Sequence, residues 1–352
     1  MTKILVTGGL GFIGSHICVS LLEKNYNVIV IDSLINSDED NLLSIKKICK
    51  FSNNFSNHIT FFKGDIKDKE LLINIFESSI EDNNPIDAVI HLAGLKSVKE
   101  SVEQPLEYWE TNVFGTMILL EAMKKYNCKK IVFSSSATIY KPIIDELITE
   151  NSALGPISPY GSTKLAVENM LGDLIKSKPN EWRITNLRYF NPVGAHISGL
   201  LGENPKGRPN NLFPILLKVA FEEYEHVSIY GNDWPTNDGT CIRDYIHVMD
   251  LAEAHKAALD LVLDSEPILL NLNIGTGCGK SVLEVIETFN EVNNSNLNYQ
   301  YSSRRKGDVP FLVADNTLAL LKLKWAPKRN LDEMCRDVWR WYIQRKNPKS
   351  FN

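Results

Sequence analysis

Tyr160 and Lys164 stand four residues apart in Tyr160-Gly161-Ser162-Thr163-Lys164, and Pro159 just before them suits a helix start. Side chains at that spacing share one helical face. An unperturbed tyrosine has a pKa near ~10 and is a poor base at neutral pH. An ammonium fixed beside it favours the phenolate and brings that value down. Ser136, in Phe133-Ser134-Ser135-Ser136-Ala137-Thr138, ends an apolar run that reads as a strand. A hydroxyl at the carboxyl edge of a parallel sheet lies where open α/β sheets bind ligands, and there it could share a proton with Tyr160. The three residues together predict proton transfer by Tyr160, Lys164 and Ser136 as catalytic groups.

A second constellation opens the chain. Gly8, Gly11 and Gly14 form GxxGxxG between a short β-branched run and a helical pattern. Glycines there allow a tight turn and let backbone N–H groups approach a pyrophosphate, with Phe12 and Ile13 in the turn and the helix following it. Asp32 ends the next run, where a carboxylate accepts hydrogen bonds from ribose hydroxyls and repels a 2′-phosphate. No arginine stands near it; Asn36 and Ser37 follow. The pattern predicts NAD rather than NADP. Asp65 and Ile66 follow the third run and are placed to hold the adenine. Leu92, Ala93 and Gly94 follow the fourth and admit the cofactor closely.

The elements that must position these groups are legible as alternation. Residues 4–7, 27–31, 59–63, 88–91 and 130–134 read as buried strands. Residues 15–24, 69–79, 113–126 and 163–176 read as helices between or after them. This predicts an α/β fold: a Rossmann-type doubly wound parallel sheet with a smaller, loop-rich α/β substrate domain. The expected division is 1–185 for NAD and 186–352 for substrate, with about 240–265 packing back on the first part. Residues 188–195, 202–213 and 230–243 are rich in Gly, Pro and Asn, the texture of a ligand-lining region. Helical periodicity returns at 251–263 and 282–290. Residues 51–58 are polar and Asn-rich and read as an exposed loop.

Composition limits the alternatives. The chain has 352 residues, net charge −5, 43% hydrophobic and 23% charged residues. Those values suit one large or two ordinary globular domains, and argue against nucleic acid or an anionic membrane as the main partner. No apolar run approaches the ~20 residues of a bilayer span, and the first residues read as a strand rather than a secretory leader. Six scattered cysteines without a CxxC pair fit a reducing compartment, so the cytoplasm is expected. The seven histidines, His247 among them, show no HxH or HExxH spacing, and no metal site is expected.

The combined motifs resemble the UDP-hexose 4-epimerases of the extended short-chain dehydrogenase/reductase family. The resemblance covers nearly the whole chain through stretches 6–16, 93–98, 133–138, 158–161, 187–195, 210–212, 243–251 and 304–308. It implies reversible interconversion of UDP-glucose and UDP-galactose through a 4-keto intermediate, with tightly bound NAD as transient hydride acceptor. It also implies roles for single residues. Lys96, Asn112, Ser134, Ser135 and Tyr189 would join the cofactor site. Phe190, Asn191, Asn210, Asn211, Leu212, Ser228, Ile229 and Tyr230 would line the UDP-sugar site with Lys96, Ser136 and Tyr160. Arg243 and Arg305 offer guanidinium forks to a diphosphate, and Asp308 could hold ribose hydroxyls.

Relatives with other chemistry bound the expectation. Nucleotide-sugar 4,6-dehydratases carry an acidic pair after the active-site Ser or Thr, whereas Ala137 and Thr138 follow Ser136 here. A UDP-N-acetylhexosamine epimerase, a UDP-uronate decarboxylase or a non-catalytic NAD sensor are the alternatives. Family members differ in bulk at the position of Leu312; leucine is intermediate, which predicts the plain hexoses with little or no N-acetyl turnover. A homodimer is expected by analogy, through helices at 113–126 and 163–176.

Overall fold

The computed structural model describes residues 1–51, 58–142, 146–305 and 308–347. Most of the Asn-rich loop expected at 51–58 lies outside them. From the amino end, strands and helices alternate: β1 (Lys3–Thr7), α1 (Phe12–Leu22), β2 (Asn27–Asp32), α2 (Asp40–Phe51), β3 (Ile59–Lys63), α3 (Lys69–Glu81) and β4 (Ala88–His91). Two short helices, α4 (Val98–Glu103) and α5 (Pro105–Tyr108), run through a π-helical turn at Trp109–Phe114 into α6 (Gly115–Lys125). Then come β5 (Lys130–Ser136), a 3₁₀ turn at Ala137–Ile139, α7 (Pro159–Ser177) and β6 (Arg183–Tyr189).

The remaining elements are β7 (Asn191–Val193), α8 (Leu212–Ala220), β8 (Val227–Tyr230), β9 (Ile242–His247), α9 (Val248–Asp264) and β10 (Ile268–Ile274). They continue with β11 (Gly279–Ser281), α10 (Val282–Asn293), β12 (Tyr299–Ser302), β13 (Phe311–Leu312), α11 (Thr317–Leu323) and α12 (Leu331–Lys346).

Seven strands form one parallel sheet in the order β10-β6-β5-β4-β1-β2-β3. The order reverses between β1 and β4, and such a switch point opens a crevice at the carboxyl ends of the strands. Both faces are covered. One core holds α1 and α9, with Ile17, Leu21, Leu251 and Leu259 against Val6 and Val30; the other packs Leu119, Met123, Val167 and Leu171 against Leu5 and Ile131. Helix α1 is buried on every side from Gly14 to Leu22, so the usual polar stripe is missing.

Sheet and sequence halves do not coincide. Strand β6 crosses residue 185, and β10 supplies the seventh strand with α9 packed on α1. A separate core of Phe213, Leu217, Phe289, Met334 and Trp341 supports the rest. Four small strand pairs, β7–β9, β11–β9, β13–β9 and β8–β12, lie in that part and carry the loops expected to meet substrate.

Candidate active site

The crevice at the switch point is an open cleft that runs from the glycine turn to Tyr160 and Lys164. Its floor is the glycine turn. Gly8 has φ +69°, and a Cβ there would lie 2.9 Å from the Ala93 amide nitrogen. A Cβ on Gly14 would lie 2.2 Å from the Gly8 carbonyl oxygen, so helix and turn touch directly. Gly11 is the N-cap of α1; no side chain caps that end and its first turn holds no acidic residue. The exposed N–H groups and the positive end of the helix dipole therefore suit a pyrophosphate, which is the fit the dinucleotide requires.

Asp32 sits beside this turn, only 7% exposed. Its Oδ2 accepts from the Leu10 amide at 2.9 Å, and its Oδ1 accepts from Leu34 N at 2.9 Å and Ser37 Oγ at 2.6 Å. The carboxylate is thus held still and keeps lone pairs for ribose hydroxyls. Phe12, Ile13, Asn36, Ser37, Asp65, Ile66, Leu92, Ala93, Gly94, Lys96 and Tyr189 line the same cleft, as do Tyr160 and Lys164.

Three residues assigned to the cofactor lie outside that lining. Asn112, in the π-helical turn, accepts from Leu95 N at 2.8 Å and donates to Leu95 O at 3.1 Å and Thr163 Oγ1 at 3.0 Å. It ties the 94–95 loop to α7. Ser134 turns its hydroxyl to His255 Nε2 at 2.8 Å, and Ser135 donates to Glu168 at 2.5 Å. Alternation along β5 sends these side chains into the protein, leaving Ser136 at the strand end.

Ser136 Oγ accepts from Thr138 N at 3.2 Å and Thr138 Oγ1 at 3.0 Å. No carboxylate follows it in the 3₁₀ turn. Ser158 caps α7 by accepting from Gly161 N at 3.2 Å, which sets Tyr160 and Lys164 in the first turns of the helix. The Tyr160 ring packs edge-on against Tyr108, centroids 6.5 Å apart. Burial pushes the Tyr160 phenol up to about 12, with the Ser136 hydroxyl pulling the other way. Burial pushes the Lys164 ammonium down to about 8, and Glu168 one turn later opposes this. Lys164 Nζ donates to the Ser134 carbonyl at 2.9 Å and lies 5.9 Å from the Tyr160 ring centre. Burial thus dominates the phenol here, and the Ser136 hydroxyl is the group that opposes it.

Beneath these groups Arg188 and Glu168 form a buried ion pair, Nη2 to Oε2 at 2.6 Å. Arg188 also donates to Tyr140 OH at 2.9 Å, and Tyr140 donates to Asn273 Oδ1 at 2.6 Å. Sequence reasoning missed this network, whose partners lie 20 to 133 residues apart.

Of the residues assigned to substrate, Lys96 and Tyr160 line the cleft and Ser136 ends β5, while the others belong to the second part and lie outside that lining. Asn191 Oδ1 is buried with no hydrogen-bond partner, a vacancy in polar pairing that a ligand donor would satisfy. Asn210 and Asn211 precede α8, which begins at Leu212 and has no side-chain cap. Arg243 is paired with Asp308, Nη2 to Oδ1 at 2.7 Å, so the two groups expected to act separately hold each other. Arg305 stacks 3.7 Å above the Tyr230 ring. Ser228 and Tyr230 share one face of β8, whereas Ile229 points into the second core, 1% exposed, leaving only its backbone for a ligand. Leu312 pairs with Arg243 in register and packs with Phe190 near Ile139 and Tyr140. The cleft also includes Leu10, Asn41, Thr111, Glu203, Asn204 and Pro205, none of them singled out from sequence.

The comparisons agree with this geometry. Residues 5–338 match the family described as GDP-mannose 4,6 dehydratase. A UDP-glucose 4-epimerase of Bacillus subtilis is 49% identical over 338 residues, 96% of each chain. A UDP-glucose 4-epimerase of Stenotrophomonas maltophila, solved with NAD and formylated UDP-arabinopyranose, superposes with TM-score 0.93 at 40% identity, covering 99% of this chain and 100% of that one. The chain belongs to the UDP-glucose 4-epimerases. Their counterpart from Bifidobacterium longum, solved with NAD⁺ and UDP, gives TM-score 0.89 at 43% identity, covering 99% and 100%. Epimerases of this family bind NAD in crystals, and the parallel sheet expected from the alternating pattern is the one found. The dehydratase name of the matched family does not bring the dehydratase pair: Ala137 and Thr138 occupy those positions.

Proposed function

We propose that this chain interconverts UDP-glucose and UDP-galactose by inverting C4 through a 4-keto intermediate. One observation carries the reading: Tyr160 and Lys164 open onto the same cleft as the glycine turn and Asp32. When bound, NAD supplies the hydride acceptor and a cationic ring beside the phenol. The Gly11 end of α1 would hold its pyrophosphate and Asp32 its ribose. Tyr160 takes the proton of the 4-hydroxyl, the Ser136 hydroxyl shares it, and Lys164 favours the charged oxygen. Grip on the uridine diphosphate falls to the Asn210–Leu212 segment, Arg243 and Arg305, leaving the sugar ring free to present its other face. Purified protein given UDP-galactose and no added NAD should form UDP-glucose, read by a coupled dehydrogenase. Absence of product with cofactor verified in the protein would sink the proposal.

The division of labour follows the sheet. The first 185 residues, extended by α9 and β10, are proposed to serve NAD, and residues 186–352 otherwise to serve UDP-sugar. Leu312 is proposed to set the width of the sugar pocket. Leu312→Gly should raise kcat/KM for UDP-GlcNAc about tenfold or more relative to UDP-galactose, since one missing side chain's contacts are worth ~1–3 kcal/mol. An unchanged ratio would remove Leu312 from specificity.

A homodimer is proposed through the helical face next to the site. Val102, Leu106, Trp109, Phe114 and Met117 are exposed there, Leu106 by 81%, and clustered apolar exposure of this kind marks an interface. Sedimentation should give twice the 39.8 kDa chain mass; a single-chain mass at micromolar concentration would refute it. No helix among the described residues is long and apolar enough to cross a membrane. Cys18, Cys128, Cys241 and Cys335 are buried free thiols and Cys278 is an exposed one, which supports the proposed cytoplasmic setting.

A further inference from the structure

Glu203 is a carboxylate with one foot in each half of the site. Its side chain is 8% exposed and lines the dinucleotide cleft with Gly202, Asn204 and Pro205. Its Oε1 accepts from Lys96 Nζ at 3.2 Å, and Lys96 follows β4 at the cofactor side. The same oxygen accepts from Asn211 Nδ2 at 2.7 Å, and Asn211 stands immediately before α8 at the substrate side. On its other flank lie Phe213, Leu217 and Trp341, an apolar wall that strengthens both polar contacts. Three residues on, Lys206 reaches across to the Leu34 carbonyl at 2.5 Å, so the 202–206 segment bridges from the second part to the loop after β2.

Asn211 adds a second observation. Asparagine is among the preferred helix N-caps, and Asn211 holds the N-cap position of α8, yet its side chain caps nothing. Its amide is spent on Glu203. No side chain caps the start of α8, where Pro214 at the third position has no N–H to offer a cap, and no acidic residue stands in that first turn. An anion can approach that end, and the Glu203 contact fixes the Asn211 amide beside it.

Resting on the UDP-sugar reading above, we propose that Glu203 is a positioning residue that couples occupancy of the substrate diphosphate site to retention of the dinucleotide. With a diphosphate at the start of α8, Asn211 is fixed, Glu203 is fixed with it, and Lys96 is aimed into the cleft. Coupling of this type is reciprocal, so each ligand slows loss of the other.

The measurement is NAD release from the purified holoenzyme, followed in filtrate with and without saturating UDP, together with UDP-induced shift in Tm. In the wild type UDP should slow release by at least about fivefold. In Glu203→Ala that factor should fall to about one, with KM for UDP-galactose raised more than kcat is lowered. Glu203→Gln keeps an acceptor oxygen for both donors and should restore part of the factor. If Glu203→Ala does not fold, Asn211→Ala breaks the same bridge at an exposed position and should abolish the coupling too. A wild-type factor of one, or a variant factor within twofold of wild type, overturns the proposal. Turnover of UDP-galactose by wild-type protein alongside that result would leave the epimerase reading standing and remove only Glu203's role.

Discussion

Tyr160→Phe should lower kcat for UDP-galactose by about 10²–10⁴-fold while leaving bound NAD and Tm near wild-type values. The ring and its edge-on packing against Tyr108 are kept, and Ser136 retains its contacts with Thr138, so only one oxygen is lost. The pH profile gives a sharper test. Tyr160 and Lys164 together hold two protons at neutral pH, since the phenol is pushed up to about 12 and the ammonium down to about 8. The pair first loses a proton near 8, and the species left includes phenolate beside ammonium. Thus kcat/KM should rise with pH and level off near or below 8, lower still if a cationic nicotinamide adds its charge. In Lys164→Met the first proton to leave is the phenol's, so the rise should continue across the accessible range. Retention of more than about a tenth of activity in Tyr160→Phe, or identical profiles for wild type and Lys164→Met, would overturn this assignment.

Acid should unfold the protein between about pH 6.5 and 4. Burial holds His16 and His91 down to about 3 and His196 and His255 down to about 4. His91 shows why. Thr116 gives its hydroxyl proton to the Asn112 carbonyl, so His91 Nε2 donates to Thr116 and Nδ1 accepts from Thr7, each at 2.7 Å. That pattern fixes a neutral ring.

A base whose folded pKa lies below its unfolded value is protonated first in the unfolded chain. Its stabilisation is complete above about 6.5 and is lost as pH falls toward the folded value. Two units below the unfolded value, each histidine withdraws about 2–3 kcal/mol, and four of them rival the ~5–15 kcal/mol of a whole domain. Asp244, whose carboxyl burial pushes up, acts in the opposite sense, but only as pH approaches the carboxyl range. Denaturation midpoints between pH 7 and 4.5 should fall steeply; a flat profile to pH 5 would refute the assignment of neutral buried rings.

Local order was readable in the chain wherever one element carries its own signal. The GxxGxxG turn, Asp32 at a strand end and Tyr160-xxx-Lys164 on one helix face need only neighbours in sequence, and they line one cleft. Helix α7 begins at Pro159, the start that residue suits, one turn ahead of the periodic stretch at 163–176, and Ser158 caps it. Helices α10 and α12 start with capping boxes, Ser281 with Glu284 and Asn330 with Glu333. Such boxes are a signal that could have placed α12 in advance.

What the linear order made legible was the set of candidate groups: a phenol, an ammonium and a hydroxyl near a glycine turn, each placed by short-range geometry. The third dimension decided which charges meet. Arg243 pairs with Asp308, Arg188 directly with Glu168 while Ser135 and Tyr140 bond to the two ends of that pair, and Glu203 with both Lys96 and Asn211. It also decided that Tyr160 and Lys164 are desolvated rather than merely adjacent, which pushes the phenol up and the ammonium down. These outcomes depend on contacts across tens to more than a hundred residues and on exclusion of water. Neither leaves a periodicity or a spacing in the chain, so only the packed structure reveals them.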